Sequence, residues 1–588
     1  MNKILLLISM LFVCILLNAQ QTYIAESFSD SQMPPTGWTI DTHAGNWEIS
    51  NTAQAGGSAP EGMLNWSPQF NGTTRLISPA IDLTGIENVA LDFRYMLDHY
   101  DGTYTIGVAT KSRSGNWNVV WQDNTPSTTP ATSISVLINN GDVGANDFQL
   151  CIFFSGASYN LNYWCIDDIV LYQPMALDAR MSQLTVPAYI SQGSKEITGV
   201  VKNVGLDNLT SFDVNWNADG GEVFTTSFSG LDLSFGSGYD FTCNDLWNAP
   251  VGNHAFKVWV SNINGAGPDN NPGNDTINAS IAVASQNVSM LPLFEEFTSS
   301  TCGPCANFNS TVFIPFCNAH PNEFSLIKYQ MSWPAPGDPY YTEEGGVRRY
   351  FYGVNAVPTL FLQGNTAPMT TGGLTSALTQ ASDEPAFVSL GIQPTYSGNE
   401  VQIPLHILPY LTVNDMTIQI AVIEKITTEN VGNNGETEFH HVMMKMVPDA
   451  EGLLLNFTDG VPFDSTFTVD MSTTFVEDMN DLQVVAFVQD NSNRRILQSA
   501  FADVLITGIE KSISNKVYIY PNPASSYVVV ANAGNSNILL YDMLGNIVRK
   551  ADAISENYRL NTAGLHQGAY FLKIIKGSTI QTLKVNIL

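Results

Sequence analysis

The sequence predicts a multidomain, mostly β chain in which sandwiches of short strands surround a single α/β domain. Three observations carry that prediction. First, 588 residues exceed the ~250 to 300 residues over which one core normally grows. Second, short apolar segments such as Val89-Ala-Leu-Asp-Phe-Arg-Tyr95, Tyr104-Thr-Ile-Gly-Val-Ala109 and Val119-Val-Trp121 recur between Gly, Asn, Asp and Ser clusters, the pattern of a sandwich or jelly roll. Third, one strand-like run, Leu291-Pro-Leu-Phe-Glu-Glu-Phe297, hands over to a helix-compatible run, Ala306 to His320, across Cys302-Gly303-Pro304-Cys305.

Composition narrows the setting. Lys plus Arg number 24 against 54 Asp plus Glu, a formal net charge of -30. That charge repels nucleic-acid phosphates and anionic membrane surfaces, so no nucleic-acid partner is expected. The N-terminus has a basic start at Met1-Asn-Lys3, an apolar run from Ile4 to Leu17 and a small-residue cleavage site at Asn18-Ala19-Gln20. This is the layout of a secretory signal peptide, placed at 1–19. Cys14 lies behind bulky Phe12 and Val13, so the signal is expected to be cleaved without lipidation. No other stretch nears the ~18 apolar residues of a membrane helix, and the mature chain is expected to have no transmembrane span.

Six cysteines remain: Cys151, Cys165, Cys243, Cys302, Cys305 and Cys317. They are too few for a disulfide-dense scaffold, so each domain must stand on its own core. Cys151 and Cys165 flank a predicted hairpin, Phe148 to Phe154 with Tyr163 to Leu171, turning near Ser158. In that register they face each other, which leaves a cross-strand disulfide and two reduced core thiols both open. Cys317 lies ~18 Å beyond Cys305 along a continuous helix and cannot pair with it. Cys243 and Cys317 read as buried hydrophobes.

Residues 20–174 form the first β module. Glu26-Ser-Phe28, Pro35-Thr-Gly-Trp38, Leu76-Ile-Ser-Pro-Ala-Ile-Asp-Leu83 and Trp164-Cys-Ile-Asp-Asp-Ile-Val170 resemble the MAM-like choice-of-anchor J and cleaved-adhesin jelly rolls of bacterial surface proteins. The resemblance implies a structural calcium held by Glu26, Asp167 and Asp168, oxygen ligands that suit a hard cation. The plainer reading is hydrogen-bonded carboxylates at strand ends. In 175–284, Ile197-Thr-Gly-Val-Val-Lys-Asn-Val-Gly205 and Asp269-Asn-Asn-Pro-Gly-Asn-Asp275 resemble the CARDB-type immunoglobulin-like sandwich, a spacer or adhesion unit.

The α/β domain is placed at 285–384. Two cysteines two residues apart at a helix N-terminus can close a small disulfide, and the free amides there favour a thiolate. A zinc site would need a second ligand pair, and only Cys317 and His320 lie near, on the same predicted helix. Gly353-Val-Asn-Ala-Val-Pro-Thr-Leu-Phe-Leu-Gln-Gly364 resembles the thioredoxin loop that sets a cis proline against the dithiol. Pro358 takes that position, with a cis Val357-Pro358 bond expected. Glu296 matches the buried acid of that family, which assists proton transfer to the second cysteine. Thr301, in place of the family's Trp, and an insert from Trp333 to Tyr352 depart from the pattern. Both look more like thioredoxin-fold regions of secreted and outer-membrane proteins from Bacteroidetes-type bacteria.

If the pair is active, Cys302, expected to be the more exposed, attacks a disulfide-containing protein substrate as a thiolate, its pKa drawn from ~8.5 toward ~7. Cys305 then resolves the mixed disulfide. The alternative is a static disulfide in a surface protein that binds an unknown extracellular ligand, since export leaves no reductant pool to recycle the pair.

Residues 385–506 return to alternating and apolar runs, a further β-sandwich. Within it, Phe439-His-His-Val-Met-Met-Lys-Met446 reads as a core strand with His441, Met443 and Lys445 on one face rather than as a copper site. A linker at 507–515 leads to 516–588. There Val517-Tyr-Ile-Tyr-Pro-Asn-Pro523, Ile538-Leu-Leu-Tyr-Asp-Met-Leu-Gly545, Leu565-His-Gln-Gly-Ala-Tyr-Phe-Leu-Lys573 and Thr582-Leu-Lys-Val-Asn-Ile587 resemble, in order, the type IX secretion sorting domain, a small β-sandwich. The resemblance implies the type IX machinery as a partner and a surface or extracellular destination. No nucleophile elbow or HExxH motif supports a hydrolase.

Overall fold

The computed structural model describes residues 20–112, 115–124, 126–506, 517–553, 555–577 and 579–588. The predicted signal peptide at 1–19 and the linker at 507–515 lie outside the described residues. The fold is mostly β, with several sandwiches and few helices. The chain divides into two compact units, and the second contains everything from Ser280 onward.

In the first unit, a six-stranded sheet contains β1 (Thr22–Glu26), β2 (Glu61–Asn65), β3 (Val89–His99) and, at its centre, β5 (Leu161–Tyr172). A five-stranded sheet contains β4 (Gln149–Ala157) between Asn71–Ile77 and Tyr104–Lys111. One core, with Phe28, Phe93, Phe148, Phe154 and Trp164 fully or almost fully buried, lies between them. Each such aromatic contributes roughly 1.5–3 kcal/mol by leaving water.

The expected β4–β5 hairpin is not formed. A short 3-10 turn at Ser158–Asn160 carries the chain from one sheet to the other, so β4 pairs only with its own sheet and β5 with β1, β2 and β3. Cys151 packs beside Ile77, Ala109 and Phe153, and Cys165 beside Ala55, Met63 and Tyr163. Both are free and buried, which corrects the Cys151–Cys165 disulfide: the two thiols belong to different sheets and different clusters. Cys243 and Cys317 are also free. The second module of this unit has a three-stranded sheet of Ala179–Leu184, Thr198–Asn203 and Gly238–Thr242. Beside it, Leu209–Ala218 pairs with Phe224–Leu233 and with residues 256–261.

In the second unit, β6 (Leu293–Thr298) leads through the Cys302–Cys305 turn into α1 (Gly303–Phe308) and α2 (Ile314–Ala319). A π-helical turn at Asn309–Phe313 joins the two helices. It has a local cause, because Pro315 lacks an amide and its ring would crowd the carbonyl four residues back, so the helix widens there. The chain returns as β7 (Ser325–Gln330), parallel to β6. It continues through α3 (Glu343–Tyr352), β8 (Thr359–Leu362, antiparallel to β6), β9 (Asn365–Thr366) and α4 (Thr371–Asp383). Helix α3 falls inside the predicted insert. Thr342 caps it through Gly345 N–H, Glu343 and Glu344 occupy its first turn, and Gly353 at φ 67° closes it.

The following sandwich contributes β10 (Val388–Ile392), β11 (Glu400–Pro409), β12 (Val413–Thr427), β13 (Phe439–Val447), β14 (Phe463–Asp470), β15 (Leu482–Asp490) and β16 (Ile496–Asp503). Its larger sheet is not separate from the α/β sheet. The nine-stranded order runs β9-β8-β6-β7-β13-β12-β15-β16, with Leu453–Phe457 added on β12. The β7–β13 junction is parallel at Lys328 and Val442. The expected boundary at 384/385 therefore separates strands that share one continuous sheet. The second sheet contains β10, β11 and β14. The C-terminal module is a small sandwich of three and four strands, opening with β17 (Tyr518–Tyr520) and β18 (Tyr527–Ala531).

Candidate functional site

Strand β6 is buried on both faces, as a central parallel strand must be. Side chains alternate along it. Leu293 and Phe297 enter the cluster with Tyr329 and Tyr352, whereas Phe294 packs with Phe308, Phe313 and Phe316 under the helices. The two consecutive acids therefore leave in opposite directions. Glu295 receives Arg348 Nη2 at 2.8 Å and the Tyr329 hydroxyl at 2.8 Å, with Tyr352 donating a further short bond. Arg348 also reaches Gln489 on β15 at 3.1 Å. Glu296 instead faces Lys328 of β7, whose Nζ lies 2.7 Å from Oε2.

From Glu296 a polar chain, buried at Lys328 and Asn309 and half-buried at Glu436 and Asn434, runs to the Cys302 carbonyl. Lys328 donates to Asn309 Oδ1 at 2.8 Å, and Asn309 Nδ2 donates to Glu436 Oε1 at 3.3 Å. Glu436 Oε2 accepts from Asn434 Nδ2 at 2.6 Å, which also donates to the Cys302 carbonyl at 3.3 Å and that of Ser299 at 3.2 Å. Burial raises the Glu296 carboxyl above its ordinary range, the Lys328 charge opposes the rise, and Glu436 adds to it. Burial raises Glu436 as well, against its bonds to Asn434 and Asn309 and the charge of Lys328.

Cys302 and Cys305 are disulfide-bonded. Cys302 is the N-cap of α1, and its Sγ accepts the Cys305 amide at 3.1 Å. The Val357 carbonyl lies 3.4 Å from the same sulfur, and the Val357–Pro358 bond is cis. Thr301 Oγ1 donates to the Pro334 carbonyl at 2.6 Å, and Ser300 N–H to Asp338 at 2.7 Å, so the 333–352 segment braces this turn. From the other side, residues 428–438 close over it. Asn434 N–H donates to the Ser300 carbonyl, and a Cβ on Gly432 would stand 2.2 Å from that oxygen. Consequently Cys302 is only 2% exposed and Cys305 0%, with Gly303 and Pro304 facing outward. The expected exposure of Cys302 is not found, because the loop after β12 covers it.

The structure thus brings together Cys302, Cys305 and the Val357–Pro358 peptide, with Glu296 linked to the turn through Lys328, Asn309, Glu436 and Asn434. The sequence reading missed Lys328, Asn309, Asn434 and Glu436. Lys328 had a readable signal, a lone cation in the apolar run Phe324-Ser-Leu-Ile-Lys-Tyr329, which requires a buried anion. Asn434 and Glu436 had none, since they lie in a polar loop more than a hundred residues downstream.

The carboxylates of the first module are arranged differently from expectation. Glu26 Oε1 is taken by its neighbour Phe28 N–H at 2.7 Å. Asp168 Oδ2 is taken by Arg94 at 3.0 Å. Asp167 Oδ1 accepts Asp168 N–H at 2.8 Å, whereas its Oδ2 is buried without a hydrogen-bond partner. Burial pushes the Asp167 carboxyl up to about 7, the Asp168 amide opposing and the charges of Asp168 and Glu61 adding. The orphaned oxygen fits a hard cation. Glu26 does not join it, and among the described residues no three His, Cys, Asp or Glu side chains converge as a metal cage.

A family model described as "Secretion system C-terminal sorting domain" matches residues 518–587, and one described as "Outer membrane protein Omp28" matches 348–504. Beta-agarase A of Zobellia galactanivorans is 32% identical over 74 residues, which is 12% of this chain and 14% of that protein. Among solved structures, a cleaved adhesin domain of Lys-gingipain from Porphyromonas gingivalis is 14% identical, covering 26% of this chain and 99% of that one (TM-score 0.19). A CARDB domain from Pyrococcus furiosus, solved with di-metal ions, is 18% identical over 18% of this chain and 93% of that one (TM-score 0.15). A domain of the outer membrane lipoprotein Omp28 from P. gingivalis is 14% identical over 21% and 92% (TM-score 0.16). Among the described residues no helix is long and apolar enough to cross a membrane. The two matched domains make this chain a multidomain, Bacteroidetes-type surface protein, exported by the type IX machinery to the cell surface or the extracellular space.

Proposed function

We propose that this exported protein is a thiol–disulfide oxidoreductase whose thioredoxin-like centre is carried on adhesion-type modules, MAM-like at 20–174 and CARDB-like at 175–284. The supporting observation is the setting of Cys302. Its sulfur caps the helix and accepts the Cys305 amide, so a thiolate left there on reduction is stabilised. In this reading Glu296, buried beside Lys328 with burial raising its carboxyl and the Lys328 charge opposing, takes the role of the acid that exchanges a proton with Cys305.

In the disulfide form, a substrate thiolate attacks Cys302 Sγ. The Cys302–Cys305 bond breaks, and Cys305 leaves with both bonding electrons and takes up a proton. A second substrate thiolate then attacks the substrate sulfur of the mixed disulfide and expels Cys302 as thiolate. The substrate is oxidised to a disulfide and the pair reduced to the dithiol; the reverse sequence reduces a substrate disulfide.

A second reading, a static disulfide in a non-enzymatic adhesion protein, is favoured by the 2% exposure of Cys302. Dithiothreitol-driven insulin reduction by the full chain, with Cys302→Ser as control, separates the two. The enzyme reading expects turbidity well ahead of dithiothreitol alone and its loss in the variant. A rate equal to dithiothreitol alone, with a pair that resists reduction, leaves the static disulfide.

The reading includes a structural calcium at Asp167, supported by the buried, unpartnered Oδ2. Calcium is expected to slow hydrogen exchange in Leu161–Tyr172 relative to chelator, and Asp167→Asn to remove the difference. Identical exchange with and without calcium would rule the ion out.

A further inference from the structure

We propose that Lys328 and Asn309 become joined by an isopeptide bond that the chain forms by itself, with Glu296 and Glu436 moving the protons. The bond ties the turn between α1 and α2 to strand β7. It goes beyond the redox reading and stands whether or not the dithiol exchanges.

Glu296 and Lys328 are register partners on the parallel strands β6 and β7. Both side chains are buried, and Nζ lies 2.7 Å from Glu296 Oε2. Asn309 opens the π-helical turn and is itself buried. Its Oδ1 accepts Lys328 Nζ at 2.8 Å. The amide carbon, one C=O bond of ~1.23 Å further on, therefore lies within about 4 Å of that nitrogen. Lys can only donate, so Oδ1 rather than Nδ2 must face it. The leaving end of the amide is held as well: Nδ2 donates to Glu436 Oε1 at 3.3 Å and to Thr298 Oγ1 at 3.4 Å. An amine, a carboxamide carbon and an acid beside each nitrogen are thus gathered in one place.

The surroundings favour the neutral amine that attack requires. The Phe313 ring centroid is 5.0 Å from Nζ, and Glu296 Oε1 is buried without a hydrogen-bond partner. Burial raises the carboxyls of both Glu296 and Glu436, with the Lys328 charge among the opposing influences. A proton passed from the ammonium to the Glu296 carboxylate leaves both groups uncharged, which a dry site prefers. Nζ then attacks Cγ with its lone pair, forming the C–N bond while the π pair of the carbonyl moves onto Oδ1. Nδ2 takes a proton from Glu436, Nζ sheds one that makes up the loss, and the carbonyl re-forms as the C–Nδ2 bond breaks with its electron pair on ammonia. Nothing is oxidised or reduced, so the step needs no co-reactant. A cavity of about 10 Å³ has Thr298, Asn309, Lys328 and Glu436 in its lining, a water-sized space that suits departing ammonia. Arg348, paired with Glu295 of the same strand, offers the contrast. Its guanidinium stays charged and cannot attack.

The test is peptide mapping of the full mature chain by mass spectrometry, after reduction and digestion with a protease that cuts after Glu. An unlinked chain yields 297–323 and 324–343 as separate peptides. The expected product is one branched species, lighter than their sum by one ammonia, about 17 Da. Lys328→Arg should release the two peptides separately, and Glu296→Gln should lower the linked fraction about tenfold or more. Mapping the parent decides the matter even if a variant folds poorly. The proposal is overturned if the parent releases 297–323 and 324–343 separately, with Asn309 intact or deamidated, or if the linked mass persists in Lys328→Arg. A fully linked Glu296→Gln would overturn the part given to that acid.

Discussion

Glu295 and Glu296 show how much a single residue's direction decides. They are adjacent in sequence, yet strand alternation sends one to Arg348 and the other to Lys328, so each buried acid has its own cation. Breaking such a pair would cost about 3–5 kcal/mol, because the surviving charge stays buried. Glu424 on β12 lacks that compensation. It is fully buried, accepts the amides of Glu477 at 2.9 Å and Asp478 at 2.6 Å, and faces no cation among its close partners. Burial pushes its carboxyl up to about 7, the two amides opposing and the charges of Glu477 and Asp481 adding. The linkage follows directly. Below about pH 4.5 both states hold the proton. From there to about 7 the unfolded chain releases it first, so stability falls as pH rises, by at most about 3 kcal/mol. Thermal melts of the parent chain between pH 5 and 7.5 should therefore drop more steeply than those of Glu424→Gln. Parallel slopes would show that this carboxyl does not titrate in that window.

At the scale of elements, the strands were more legible than their partners. The predicted runs Phe148–Phe154 and Tyr163–Leu171 lie close to β4 and β5, and their largely apolar sequence matches strands buried along most of their length. Pairing was not written there. Adjacent strands joined by a short polar turn usually form a hairpin, but Ser158–Asn160 crosses from sheet to sheet, and the two cysteines went with their strands. Helix α3 was hidden by Gly345 and Gly346, which lower helix propensity by about 1 kcal/mol each. Its ends were nonetheless spelled out by Thr342, Glu343, Glu344 and Gly353. The alternation read into Phe439–Met446 fails for a similar local reason. His441 sits at φ 56° near a register shift between β12 and β13, and Met443 and Met446 enter one core while Val442 and Met444 enter the other. In the candidate site, the motif residues were legible because their spacing is local. The loop that covers them was not, because its contacts span more than a hundred residues.

At the scale of the whole second unit, the dithiol domain does not end where its motifs end. Strand β7 is an edge only if the chain is cut before β13, and that cut would expose the unpaired backbone of a strand buried on both faces. It would also remove Glu436 from the chain that reaches Lys328, Gln489 from Arg348, and the Ser499 hydroxyl that bonds the Leu291 carbonyl at 2.6 Å. Lys328, Glu296, Glu295 and Arg348, nearly or fully buried in the intact unit, would then border water or lack partners. Residues 285–384 expressed alone are therefore expected to show no cooperative thermal transition, and to aggregate through β7. Residues 280–506, which keep the nine-stranded sheet whole, should melt cooperatively. Circular dichroism melts of the two fragments check both statements. A sharp, reversible transition from 285–384 would mean that β13 and the 428–438 loop merely rest on a domain that is already complete.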